Sequence, residues 1–175
     1  MSTLTNHKQP IDNSPSTFVV RCLSNSSVTG GIALDLACGY GRHTNILREK
    51  DFWVVSGDLV VDGLQVIKKD FQSDACVCLN AKADLPFCDS SFDLILAVHY
   101  VDKGLLSRVA RLLPPSGLLI YETYGGQGEN WHFLPNQGEV ENELFPNFTI
   151  IKKVESLLGD KDNLHANIKI FAKKI

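Results

Sequence analysis

Short apolar runs recur along this chain with helical stretches between them, and that alternation restricts the fold more than any other feature. Gly31 to Ala37 is one run, Phe52 to Asp58 the next, followed by Ala75 to Leu79, Phe92 to Val98 and Gly117 to Tyr124. Between them lie Arg42 to Lys50, then Val60, Val61, Leu64, Ile67 and Phe71 at helical spacing. Leu105 to Leu113 is a further helical stretch, which Pro114 must end. Strands that are apolar throughout and separated by helices belong in a parallel sheet covered on both faces. Such crossovers are right-handed, so the expected fold is α/β and doubly wound. The tail breaks the pattern. Phe148 to Val154 and His165 to Ala172 are strand-like with only a polar loop between them. They should pair as an antiparallel hairpin on the sheet edge, completing a mostly parallel, seven-stranded sheet.

Before the first strand, Pro15 to Leu23 reads as a short helix with Ser14 as N-cap and Pro15 in the first turn. Residues 1–14 read as a flexible arm and 15–175 as a single domain, because one core that removes roughly 70% of the unfolded surface from water is the default at this size. Composition bears on partners. The 17 Lys and Arg against 20 Asp and Glu give a net charge of −3, unlike the basic face of a dedicated nucleic-acid binder. No apolar run approaches the roughly 20 residues of a membrane span, and no secretory leader is visible. Five cysteines without a CxxC pair supply no zinc site and suit a reducing, cytoplasmic setting. Cys76 and Cys78 should share one strand face as small core residues.

The first strand ends in Leu34-Asp35-Leu36-Ala37-Cys38-Gly39-Tyr40-Gly41-Arg42. Glycines at such a turn allow unusual dihedrals and let a ligand approach the backbone closely. Asp58 ends the second strand, 17 residues after Gly41, where a carboxylate can accept hydrogen bonds from ribose hydroxyls. Asp84 follows the third strand and can reach an adenine amino group. Three acids at successive strand ends converge on one crevice. Two adenosine ligands compete for it. The dinucleotide pattern G-x-G-x-x-G wants a third glycine where Thr44 stands. An acid four residues before Gly39 suits the ammonium and sulfonium of S-adenosylmethionine, whereas it would repel the pyrophosphate of NAD.

Leu34 to Arg42, Gly57-Asp58, Ala83 to Phe87, Ser91 to Ile95 and Leu112 to Gly117 resemble, in order, the motifs of class I S-adenosylmethionine-dependent methyltransferases. Ile120 to Tyr124, Gly126 to Gly128 and Phe133 to Glu139 are closer still to the small bacterial tellurite-resistance-like group. The resemblance implies a Rossmann-like methyltransferase fold with S-adenosyl-L-methionine as cofactor. It implies that Asp35, Gly39 and Gly41 frame the methionyl end, Asp58 the ribose, and Asp84 with Leu85 the adenine. Ala37, Cys38, Leu59 and Val98 complete the expected cofactor-binding set. The sequence departs from the group at Pro115-Ser116-Gly117, where Pro-Gly-Gly is usual, and at His99 to Lys103.

Methyl transfer from a sulfonium needs no acid for its leaving group, so positioning carries much of the acceleration. A base matters only where the acceptor must lose a proton. The residue after the fourth strand faces the methyl in this architecture. His99 is the candidate base there, with a structural histidine as the competing role, and Tyr100 beside it shapes the pocket. Glu122, Tyr124, Trp131 and His132 open onto the same crevice. The Asn/Asp-Pro-Pro-Tyr of adenine and glutamine N-methyltransferases is missing. The expected acceptor is therefore a small molecule. Methylation of RNA or protein, or cofactor binding without catalysis, are the alternatives.

Overall fold

The short apolar runs become the strands of one sheet in the computed structural model, which describes residues 14–72, 74–126, 135, 138–158 and 165–175, and the central strands bury both of their faces. The parallel strands are β1 (Gly31–Leu36), β2 (Phe52–Asp58), β3 (Ala75–Cys78), β4 (Leu94–Val98) and β5 (Leu118–Gly126). The hairpin strands are β6 (Phe148–Leu158) and β7 (His165–Lys174), and the sheet order is β3-β2-β1-β4-β5-β7-β6. The expected hairpin forms, but its second strand is the one that pairs with β5, so β7 lies inside the sheet and β6 becomes the edge.

Five helices are described: α1 (Thr17–Asn25), α2 (Thr44–Arg48), α3 (Val61–Asp70), α4 (Leu105–Ala110) and α5 (Glu139–Leu144). Period-two alternation sorts the strand residues between two layers. Leu34, Leu36, Ile95, Ala97, Leu119 and Tyr121 pack with α4 and α5. Ala33, Leu94, Leu96, Leu118 and Ile120 pack with Phe18, Val19, Cys22 and Leu23 of α1 and Leu47 of α2. Leu64 and Ile67 of α3 form a third cluster with Cys38. No described helix is long and apolar enough to cross a membrane.

Three local expectations change. Ser16, not Ser14, caps α1, because its Oγ accepts the Phe18 N–H at 3.2 Å, and Pro15 stays outside the helix. Cys78 is exposed rather than core, since β3 is an edge strand that ends there; Cys76 is half-buried beside the Cys38 cluster. Helix α5 was not expected from its polar sequence, and it forms where Val140 and Leu144, four residues apart, are both buried. The arm was expected over residues 1–14, of which 1–13 lie outside the described residues.

Candidate active site

Crossovers from β1 lead to β2 and β3 on one side and to β4 and β5 on the other, so a crevice opens at the carboxyl ends of β1 and β4. Two non-glycine residues there adopt the left-handed region: Ala37 after β1 (φ 55°) and His99 after β4 (φ 57°). Backbone of this kind persists only where its surroundings hold it, and it gathers at functional sites. The glycine loop is pressed between elements. A Cβ on Gly41, whose φ is 78°, would lie 2.5 Å from Ile67 Cγ1 of α3. A Cβ on Gly63 would lie 2.2 Å from the Gly39 carbonyl oxygen. Gly63 stands inside α3 against helix propensity, and that is the sequence signal which marks it as a contact for the loop.

Asp58 joins the loop to β2. Its Oδ2 accepts the Gly39 N–H at 2.8 Å and its Oδ1 accepts the Val60 N–H at 2.8 Å. Each carboxylate oxygen has capacity for a further donor. Beside it is a cleft of about 360 Å³. Four of its lining residues were expected at the site or beside it: Ala37, Asp58, Leu59 and Tyr100. Leu59 is an apolar wall, 65% exposed. Leu79, Asn80, Ala81 and Lys82 complete the lining, and sequence reasoning missed them. They follow β3 in a turn where Asn80 Oδ1 accepts the Lys82 N–H, a local Asx signal. The structure does not bring Asp84 or Leu85 to this lining. Asp84 is exposed, and Leu85 is 2% exposed in the core with its carbonyl held by Arg111 Nη2 at 2.6 Å. Arg108 donates to the Ala81 carbonyl at 3.1 Å, so α4 and its C-cap residue Arg111 hold this connection at two points.

Asp35 lies beneath the loop, 2% exposed, and accepts the Thr44 hydroxyl at 3.3 Å. Burial pushes its carboxyl up to about 7, opposed in part by the Thr44 hydrogen bond and Arg42. In the unfolded chain it ionises near 3.8, so between those values the folded state holds the extra proton and stability falls as pH rises. Asp35→Asn should remove that fall, leaving the urea midpoint flatter between about pH 4 and pH 7 than in the parent. An unchanged pH profile would show that Asp35 is ionised like an ordinary aspartate. Cys38 and Val98 are also largely buried, and burial raises the Cys38 thiol, so neither presents a reactive group.

On the opposite side of the crevice His99 stacks on Tyr124, with ring centroids 5.2 Å apart. Arg42 Nη2 lies 2.9 Å from His99 Nδ1. Arginine only donates, so Nδ1 is the acceptor and the neutral ring carries its proton at Nε2. Burial and then Arg42 lower the His99 pKa, which keeps it neutral. The expectation of a base is therefore revised, since the lone pair a base needs is already engaged. Tyr100 lines the cleft, and its carbonyl accepts the Tyr121 hydroxyl at 3.3 Å.

A buried network that sequence reasoning missed lies behind these residues. Glu122 is fully buried; its Oε1 accepts the Ser16 hydroxyl and its Oε2 is 3.1 Å from Lys169 Nζ. That ion pair is close but not aligned as a hydrogen bond, and Oε2 receives no other. The Ser16 N–H donates to His43 Nε2 at 3.1 Å, and burial lowers the His43 pKa to about 3, so the ring is neutral. Trp131 and His132, expected at the crevice, lie outside the described residues.

Comparison with known proteins follows the same lines. Residues 34–121 match the family model described as a methyltransferase domain. An uncharacterized protein of Methanocaldococcus jannaschii is 26% identical over 130 residues, 72% of this chain and 51% of its own length. The chain thus spans about half the length of the curated relative it matches. A SAM-dependent methyltransferase of Methanosarcina mazei is similar in structure, with a TM-score of 0.69 at 19% identity, over 93% of this chain and 99% of that one. The 1,6-didemethyltoxoflavin-N1-methyltransferase of Burkholderia thailandensis, solved with 1,6-didemethyltoxoflavin and S-adenosylhomocysteine, gives 0.62 at 19% identity, over 83% and 72%. At such identities these likenesses are of fold.

Proposed function

The chain belongs to the methyltransferase-domain family, and from that membership we propose that it is a class I enzyme transferring the methyl group of S-adenosylmethionine to a small-molecule acceptor. One observation carries the cofactor half of this reading. The Gly39 amide and the Asp58 carboxylate are hydrogen-bonded to each other at the mouth of a cleft, so a loop made for close approach and an acceptor for hydroxyl groups share one wall. The loop also packs tightly on α3, since a Cβ on Gly41 would press on Ile67 and one on Gly63 would press on the Gly39 carbonyl. These residues fit an adenosine-bearing ligand.

When bound, S-adenosylmethionine supplies a methyl group on a positively charged sulfur. The chain's residues position it. Asp58 offers its remaining lone pairs to ribose hydroxyls, and Leu59 and Ala37 give an apolar wall. Asn80 and Lys82 stand where the base would extend. Asp35 keeps the loop floor polar without a full negative charge near neutral pH. His99, held as a donor, orients an acceptor rather than deprotonating it. The small-molecule half is supported by the Burkholderia neighbour, a 1,6-didemethyltoxoflavin-N1-methyltransferase, and by a net charge of −3 without a basic stripe.

Calorimetric titration with S-adenosylhomocysteine should give saturable heat, and titration with NAD should give none. Tight NAD binding without S-adenosylhomocysteine heat would overturn the cofactor reading. Methyl-labelled cofactor added with cell extract should then label the low-mass fraction. Label appearing in RNA or protein alone would replace the small molecule as acceptor.

A further inference from the structure

Asp58, Leu59 and Lys82 sit at the ends of β2 and β3, whereas His99 and Tyr124 sit at the ends of β4 and β5, across β1 from them. Arg42 leaves the glycine loop and reaches this second side, where it donates to His99 Nδ1 at 2.9 Å. A guanidinium stays charged and has no lone pair. The exposed His99 therefore offers an Nε2–H, with its plane fixed by Tyr124. Among the described residues Arg42 has no acceptor besides His99 Nδ1, so its other N–H groups are left for a ligand.

Nearby carboxylates do not cancel this charge. Glu122 is sealed from solvent and engaged by Ser16 and Lys169. Asp35 also feels Arg42, but it is sealed under the loop and holds a proton part of the time near neutral pH. Two donors, one of them cationic, thus stand at the crevice rim beyond the cofactor cleft. Forked donation of this kind matches a carboxylate.

We infer that Arg42 and the His99 Nε2–H bind a carboxylate carried by the methyl acceptor. The word acceptor rests on the methyltransferase reading; the carboxylate site itself does not. A carboxylate arrives ionised, so no base is required to hold it or to present it beside a cationic methyl donor. The same chemistry has a second source, the carboxylate of the cofactor's methionyl end, and the experiment separates the two.

The test is nitrogen-edited NMR of the His99 ring with acetate and benzoate as probes and acetamide and benzamide as neutral counterparts. It is run with and without saturating S-adenosylhomocysteine. At neutral pH the ring should carry its proton on Nε2. Both carboxylates should shift that signal in the saturated protein, the amides should not, and Arg42→Met should weaken the carboxylates by about tenfold or more, the size of one charge-assisted hydrogen bond. Arg42→Lys should restore part of the response. A proton on Nδ1, equal responses to the amides, or no response to either carboxylate overturns the proposal. A response that vanishes on saturation assigns Arg42 to the cofactor's own carboxylate and also overturns it. Failure of S-adenosylhomocysteine to bind defeats the methyltransferase reading instead, and the carboxylate response of the unliganded chain still decides the site.

Discussion

Asp58→Ala should weaken S-adenosylhomocysteine by about 2–4 kcal/mol, roughly 30-fold to 1,000-fold. Two losses combine. The ribose forfeits hydrogen bonds to a charged acceptor, worth about 1.5–3 kcal/mol. The Gly39 and Val60 amides also lose the carboxylate that fixes them at 2.8 Å, so the loop is no longer held in its binding shape before the ligand arrives. Asp58→Asn separates the two, because its side-chain oxygen can still serve one amide while the charge is gone. It should fall between parent and Asp58→Ala in calorimetric affinity. Equal affinity in all three proteins would remove Asp58 from the site.

Glu122→Ala should lower folding stability by roughly 2–4 kcal/mol, because breaking a buried pair leaves an uncompensated charge. At about 2–4 °C per kcal/mol for a chain of this size, Tm should drop by about 5–15 °C. The Ser16 hydroxyl would lose its acceptor and Lys169, only 21% exposed, its counter-charge. Glu122→Gln keeps an acceptor for Ser16 and should fall less. Thermal unfolding at fixed ionic strength reads both variants. A Tm for Glu122→Ala within a degree or so of the parent would mean that Ser16 and Lys169 find water instead.

The strands were legible because their apolar runs are short, continuous and bounded by glycine and acid, and the hairpin because no helical pattern stands between its halves. The insertion of β7 between β5 and β6 was not legible, since both strands of a hairpin read alike and only the register with Leu118 to Gly126 decides which one docks. Helix α5 escaped because its two buried residues are too few to set a period. Asp58 and the glycine loop stand in local patterns, and the fold joins them through the Gly39 N–H. Glu122 was placed only at the crevice, because its partners Ser16 and Lys169 are 106 and 47 positions away in sequence and no local spacing joins them. His99 was expected as a base, yet its Nδ1 is engaged by Arg42. Its role turns on Arg42, whose approach from another loop is a fact of the fold.

The placement of β7 has a consequence for assembly order. The strand that flanks β5 is made after β6, and β6 can join the sheet only through it. Until β7 docks, β5 is an open edge and Glu122 lacks Lys169. Closing that long loop is a late event, as non-local pairings generally are. The β2 side of the crevice, with the glycine loop and Asp58, is built from sequence-local strands and can form first. The rim at β5 is finished only when β7 arrives, so a nascent chain should acquire the cleft beside Asp58 before the wall that carries Glu122 and Tyr124.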